Sequence, residues 1–163
     1  MDTIKDEFIR LCETDKYLIE SNLHFIGKGS GRKVYAIDEN YVIKVPRNTS
    51  GVLQNKVENN IFNSANESLK EYLCPIEYYK NDIIIMKRAL PLNSIITNRG
   101  LNMLQILNTR KKSEFFKEMK PLLKYYDLLY EDIIAISSWG ILNNKPVLID
   151  YGCTNKIYDK YLV

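Results

Sequence analysis

Hydrophobic positions along the 163-residue chain change their period repeatedly, and each change marks a different kind of element. Ile4, Phe8, Leu11 and Cys12 recur three or four residues apart, a spacing that shares one helical face and predicts an amphipathic helix over 3–13. From Leu23 the texture becomes strand-like. Segments 23–26, 33–37 and 41–45 read as strands, the last two joined by Asp38-Glu39-Asn40, residues that tolerate tight turns. Pro46 has no N–H to give a ladder and stops the third strand, and Leu53, Val57 and Ile61 then fall in i, i+4, i+8 register, a helix over about 51–64. Strands at 76–79 and 83–86 flank the turn residues Asn81-Asp82. Past Pro91 the helical period returns through Leu101, Leu104 and Leu107. It continues from Phe115 and Phe116 through Met119, Leu122, Leu123, Tyr126 and Leu129, with Pro121 expected to kink or restart the run. Strands at 139–142 and 146–149 follow, around Asn143-Asn144.

The expected fold class is therefore α+β, in a single domain over 1–163. A helical extension (1–22) precedes a five-stranded antiparallel sheet with one helix (23–89), and a mainly helical part with a β-hairpin follows (90–163). Hydrophobic residues make up 45% of the chain, enough for a normal core. The balance of 23 basic against 20 acidic residues leaves a net charge of +3, far from the footprint of a nucleic-acid binder. Cys12, Cys74 and Cys153 lie far apart and His24 is the single histidine, so no zinc pattern forms locally and a reducing cytoplasm is the expected location. No apolar run approaches the roughly 20 residues that span a bilayer, and the N-terminus lacks the order of a signal peptide, so neither membrane nor secretion is expected.

Three segments carry candidate chemistry. Gly27, Gly29 and Gly31 fall between two strand patterns, where missing Cβ atoms let backbone N–H groups approach phosphate oxygens; a flexible hairpin turn has the same look. A strand follows the loop, unlike a Walker loop, which opens into a helix. Lys44 stands between Ile43 and Val45, so it leaves the opposite strand face from the two hydrophobes, toward either solvent or a phosphate. In the second case a carboxylate must hold its ammonium. Glu58 in mid-helix is the natural partner, with Glu67 and Glu71 as alternatives. Asp150, at the exit of the last strand before Tyr151-Gly152, is either a turn aspartate or an oxygen ligand for Mg²⁺.

In this order, G27-K-G29-S-G31-R-K-V34, V-I-K44, E58 and D150-Y-G152 resemble the protein-kinase signature set, over residues 23 to about 155. The texture is similar to small kinase-like proteins of bacteriophages, implying a kinase-like sheet lobe and a truncated helical lobe. The resemblance implies ATP as ligand with Mg²⁺. Gly27, Gly29, Ser30 and Gly31 would cover the triphosphate, Lys44 would contact the α- and β-phosphates, and Glu58 would orient it. Val34 would roof the adenine, and the link Met86-Lys87-Arg88-Ala89 would read its edge. Asp150 would bind metal with Ser138, which stands where the family has asparagine, and Asp132 would be the catalytic base, Asp127 being a poorer alternative expected still on the helix.

Departures accompany the match. The family's third glycine would fall at Arg32, no H-R-D triplet is present, and only 11 residues follow Gly152. A truncated substrate platform is the expectation. The implied function is a phosphotransferase acting on an unknown protein or small-molecule acceptor. The rivals are a pseudokinase docking on a host factor and a small-molecule kinase.

Overall fold

The computed structural model describes residues 3–96, 101–106 and 109–163. Helix α1 (Thr3–Glu13) and a short α2 (Lys16–Asn22) precede strands β1 (His24–Lys28), β2 (Arg32–Ala36) and β3 (Tyr41–Pro46). Helices α3 (Thr49–Ser64) and α4 (Glu67–Lys70) follow, then β4 (Ile76–Lys80), β5 (Ile83–Lys87) and the two-residue β6 (Leu90–Pro91). Beyond these come α5 (Met103–Ile106), α6 (Thr109–Lys124), α7 (Tyr130–Ile134), β7 (Trp139–Leu142), β8 (Lys145–Leu148) and α8 (Asn155–Tyr161). The chain is α+β: a five-stranded antiparallel sheet in the order β1-β2-β3-β5-β4, and a three-stranded sheet in the order β6-β7-β8. Among the described residues no helix is long and apolar enough to cross a membrane.

Both faces of the larger sheet are covered, which explains why β5 reads as an unbroken apolar run rather than an alternation. Tyr35, Ile43, Val45, Ile83 and Ile85 face Phe8, Cys12 and Ile19 of α1 and α2. Val42, Ile84 and Met86 face the larger core, built with Ile61 of α3, Leu73, Met119, Leu122, Ile133, Trp139, Leu148 and Tyr151. Helix α1 thus has a purpose its own pattern did not reveal: it lids the outer sheet face, with Phe8 edge-on to Tyr41 at 4.9 Å.

Several boundaries differ from expectation for local reasons. Asn48 caps α3 by accepting from the Gly51 N–H at 3.0 Å, so the helix begins at Thr49. Pro121 does not restart α6: it lies in the last turn, and the Tyr125 N–H still reaches its carbonyl at 2.8 Å. The run does not extend to Leu129, and Asp127 is not on the helix. Asp127 turns left-handed (φ 56°) and bonds Asn155, while Leu129 becomes the N-cap position of α7. Leu107, expected on a helical face, lies outside the described residues. The expected hairpin gains a third strand because β6, leaving the larger sheet, pairs with β7.

Gly31 and Gly51 fix how the loop meets α3. A Cβ on Gly51 would stand 1.9 Å from the Gly31 carbonyl oxygen, and one on Gly31 would stand 2.6 Å from the Gly51 nitrogen. Backbone must pass backbone here, so the third glycine comes at 31 and Arg32 follows. G51A is expected to lose about 1–3 kcal/mol through overpacking, read as a lower urea midpoint at unchanged slope. A midpoint equal to wild type would show that the loop yields freely.

Candidate functional site

Period two sorts β3 as its sequence demands. Ile43 and Val45 enter the core beneath α1, whereas Val42 and Lys44 face the other way, Lys44 lying across from Val34 and Ile84. Helix α3 presents Gln54, Asn55, Glu58 and Ile61 inward at three- and four-residue spacing, which brings Glu58, fully buried, beneath Lys44. The ammonium donates to both Glu58 oxygens at 3.0 and 2.9 Å and to the Ile149 carbonyl at 2.5 Å. Glu58 Oε1 also accepts the Tyr151 N–H at 3.0 Å, so one carboxylate joins β3 to the segment following β8. Gly152 completes that docking: a Cβ there would stand 2.4 Å from the Gln54 carbonyl oxygen. Glu67 and Glu71 are exposed on and beside α4, and neither reaches Lys44.

A residue valued only as the place of a missing glycine proves to belong here. Arg32 opens β2 on the same face as Val34, with its side chain buried. One guanidinium nitrogen pairs with Glu58 Oε1 at 2.9 Å and donates to Asn55 Oδ1 at 3.0 Å; the other donates to Asp150 Oδ1. The signal was in the alternation, since Arg32, Val34 and Ala36 must leave the strand on one side.

The charges shift one another. Burial, and next the Arg32 charge, lower the pKa of Lys44 against the opposing pull of Glu58. For Arg32, burial disfavours the charge, but Glu58 and then Asp150 outweigh it and raise the pKa. Burial would raise the Asp150 carboxyl, yet Arg32 and then Lys44 hold it below its usual value.

Two cavities meet at this cluster. One, of about 340 Å³, has Val34, Val42, Met86, Ala89 and Ile149 as apolar wall and Gly27, Gly29, Lys44 and Asp150 as polar rim. The other, of about 400 Å³, lies beyond Asp150 among Gly29, Ser30, Arg32, Asp132 and Cys153. Gly29, Val34 and Asp150 border both. None of the described glycines has positive φ, and a Cβ on Gly27 or Gly29 would meet nothing within 4 Å. Neither the turn nor the packing requires glycine at 27 or 29; what glycine does there is leave the cavity roof bare. The loop is held from behind by Arg47 on the Gly29 carbonyl and Asn48 on the Ser30 carbonyl, both at 3.2 Å.

Other candidates are placed elsewhere. Arg88 borders neither cavity: its N–H donates to the Asn40 carbonyl at 2.8 Å and its guanidinium to the Asp38 carbonyl at 2.7 Å. Met86 and Ala89 of the same link do reach the wall. Ser138 is buried and borders neither cavity, its carbonyl accepting the Ile149 N–H at 2.8 Å; the exposed Ser137 lines the smaller cavity instead. For a divalent cation the donor set is thin. Asp150 already accepts from a guanidinium, Ser138 is turned away, and among the described residues no three His, Cys, Asp or Glu side chains gather to hold a metal. These residues do not fit a resident Mg²⁺.

Asp132 stands on α7 in the wall of the larger cavity, half-buried. Burial, and secondly the Asp150 charge, push its carboxyl up to about 6. The folded state therefore binds this proton more tightly than the unfolded chain, and stability falls as pH rises from the ordinary carboxylate range through about 6. The nearly isosteric D132N is expected to exceed wild type by about 1 kcal/mol at pH 8, solvent screening allowed for, and to match it near pH 3. Paired urea titrations at the two pH values check this; a variant weaker than wild type at pH 8 would mean that Asp132 is stabilised as an anion.

No family model matches the chain, and neither does any curated protein. Among solved structures, the streptomycin-ATP-APH(2″)-IIa ternary complex aligns with it at 16% identity over 86% of this chain and 71% of that one, with a TM-score of 0.45.

Proposed function

We propose that the chain is a kinase-like nucleotide-binding protein, with ATP in the smaller cavity and phosphoryl transfer toward an acceptor in the larger one. The observation that carries this reading is the Lys44–Glu58 pair, tied to the Asp150 segment through Ile149 and Tyr151, at the rim of an apolar cavity. A purine suits the apolar space among Val34, Val42, Met86 and Ala89, and a triphosphate leaving it passes beneath Gly27 and Gly29 toward Lys44. Bare glycine at those two positions, where the fold asks for none, favours a phosphate cover over a simple turn.

In the transfer step, an acceptor hydroxyl oxygen bonds to the terminal phosphorus while its proton passes to the Asp132 carboxylate. The bond from that phosphorus to the bridging oxygen breaks, and the nucleoside diphosphate leaves with the electron pair. A carboxyl with pKa of about 6 is mostly ionised at neutral pH yet basic enough to take the proton. Lys44 and Arg32 neutralise charge on the phosphates, and positioning supplies most of the rate.

A second reading, a pseudokinase that binds without transferring, is favoured by one observation: Asp150 is already paired with Arg32. Three buried free thiols support a reducing compartment such as the cytoplasm, where a phage-encoded protein would meet host partners. Incubation with γ-labelled ATP, alone and with candidate acceptors, separates the two readings. Transfer predicts a labelled product that K44M and D132N both abolish; nucleotide binding with no label in any sample leaves the pseudokinase.

A further inference from the structure

The cluster around Glu58 contains two cations and two carboxylates, and it closes on itself. Lys44 takes Glu58, while Arg32 takes Glu58 and Asp150. Lys44, Arg32 and Glu58 are buried, whereas the Asp150 side chain keeps 47% of its surface at the meeting of the two cavities. A carboxylate so placed is where a phosphate-bound cation would attach, yet its Oδ1 already accepts from Arg32. Freeing it would strip a buried guanidinium of one of its partners. Asn55 holds the guanidinium in position, with its own amide donating to the Lys44 and Asp82 carbonyls at 3.1 and 2.7 Å.

Arginine also differs from a metal in what it offers. It stays charged at any pH and presents five donors in a planar fork, of which Asn55 and Asp150 each accept one among the described residues while Glu58 faces it as an ion pair. The remaining donors belong to a side chain that forms part of the larger cavity's wall, beside Gly29 and Ser30 of the loop.

Resting on the nucleotide reading, we infer that Arg32 is a built-in counter-ion at Asp150, so that the cleft takes a nucleoside triphosphate free of divalent metal. The guanidinium neutralises Asp150 and supplies positive charge to the phosphates, both of which a cation would otherwise do.

Calorimetric titration of the whole chain with ATP, once in EDTA and once in excess Mg²⁺, tests this. Wild type is expected to give dissociation constants that agree within about threefold. R32A removes the internal cation and frees Asp150, so its binding should weaken by roughly tenfold or more in EDTA and recover with Mg²⁺. R32A/D150N should lose that recovery. If R32A fails to fold, R32Q, neutral but still able to donate to Asn55, replaces it, and the wild-type comparison stands without either variant. Wild-type affinity that rises roughly tenfold or more with Mg²⁺ overturns the role of Arg32 and leaves nucleotide binding intact. R32A binding as tightly as wild type in EDTA does the same, and heat in neither buffer removes both inferences.

Discussion

Replacing Glu58 with alanine is expected to destabilise the protein by about 3–5 kcal/mol, the range for removing one partner of a buried ionic set. Glu58 is fully buried and receives the Lys44 ammonium, the Arg32 guanidinium and the Tyr151 N–H. Without it, Lys44 keeps the Ile149 carbonyl and Arg32 keeps Asn55 and Asp150, but two buried cations face each other with one carboxylate between them. Lys44, whose pKa burial already lowers, would give up its proton first. Urea unfolding at pH 7 measures the loss, and E58Q, which keeps the shape and part of the hydrogen bonding, should fall between wild type and E58A. An E58A midpoint within error of wild type would mean that water reaches the cluster and solvates both cations.

The second large effect falls on binding. K44M keeps a side chain of similar length and an apolar stem against Val34 and Ile84, and Glu58 retains Arg32 as its counter-charge. Stability should therefore change by less than about 2 kcal/mol, far less than in E58A. ATP affinity, by contrast, should fall by roughly a hundredfold, the loss of one charge-assisted contact to phosphate inside a partly desolvated cleft. The contrast is what discriminates. A merely structural lysine would give the reverse order, with a large loss of stability and no change in affinity.

The division of β3 into an apolar face and a lysine face was legible because strand side chains alternate whatever the tertiary context, and Ile43, Lys44 and Val45 leave only one arrangement. Glu58 was legible for a similar reason: Leu53, Val57 and Ile61 define a helix, and a carboxylate in mid-helix can be matched to a strand lysine before either is seen in space. Asp150 was placed by the apolar run that precedes it. What stayed hidden depends on contacts between segments far apart in the chain. Arg32 stands in the sequence only as the place of a missing glycine, and its partners Glu58 and Asp150 come from far along the chain. Ser138 aligned with a metal ligand by count, but the short turn before Trp139 buries it and exposes Ser137. Helices α2, α4, α7 and α8 are too short for a periodic signal, and the outward covering of the sheet by α1 depends on which strands its Phe8 and Cys12 meet.

The central claim is that a nucleoside triphosphate lies over Lys44 and beneath the bare glycines. Amide chemical-shift mapping of the ¹⁵N-labelled protein during titration with ATP tests it residue by residue. Binding in this cleft predicts saturable shifts at Gly27, Gly29, Ala89 and Asp150, with α1 silent and the titration midpoint raised roughly a hundredfold in K44M. Shifts confined to α1 or α8, or no shifts at millimolar nucleotide, would contradict it.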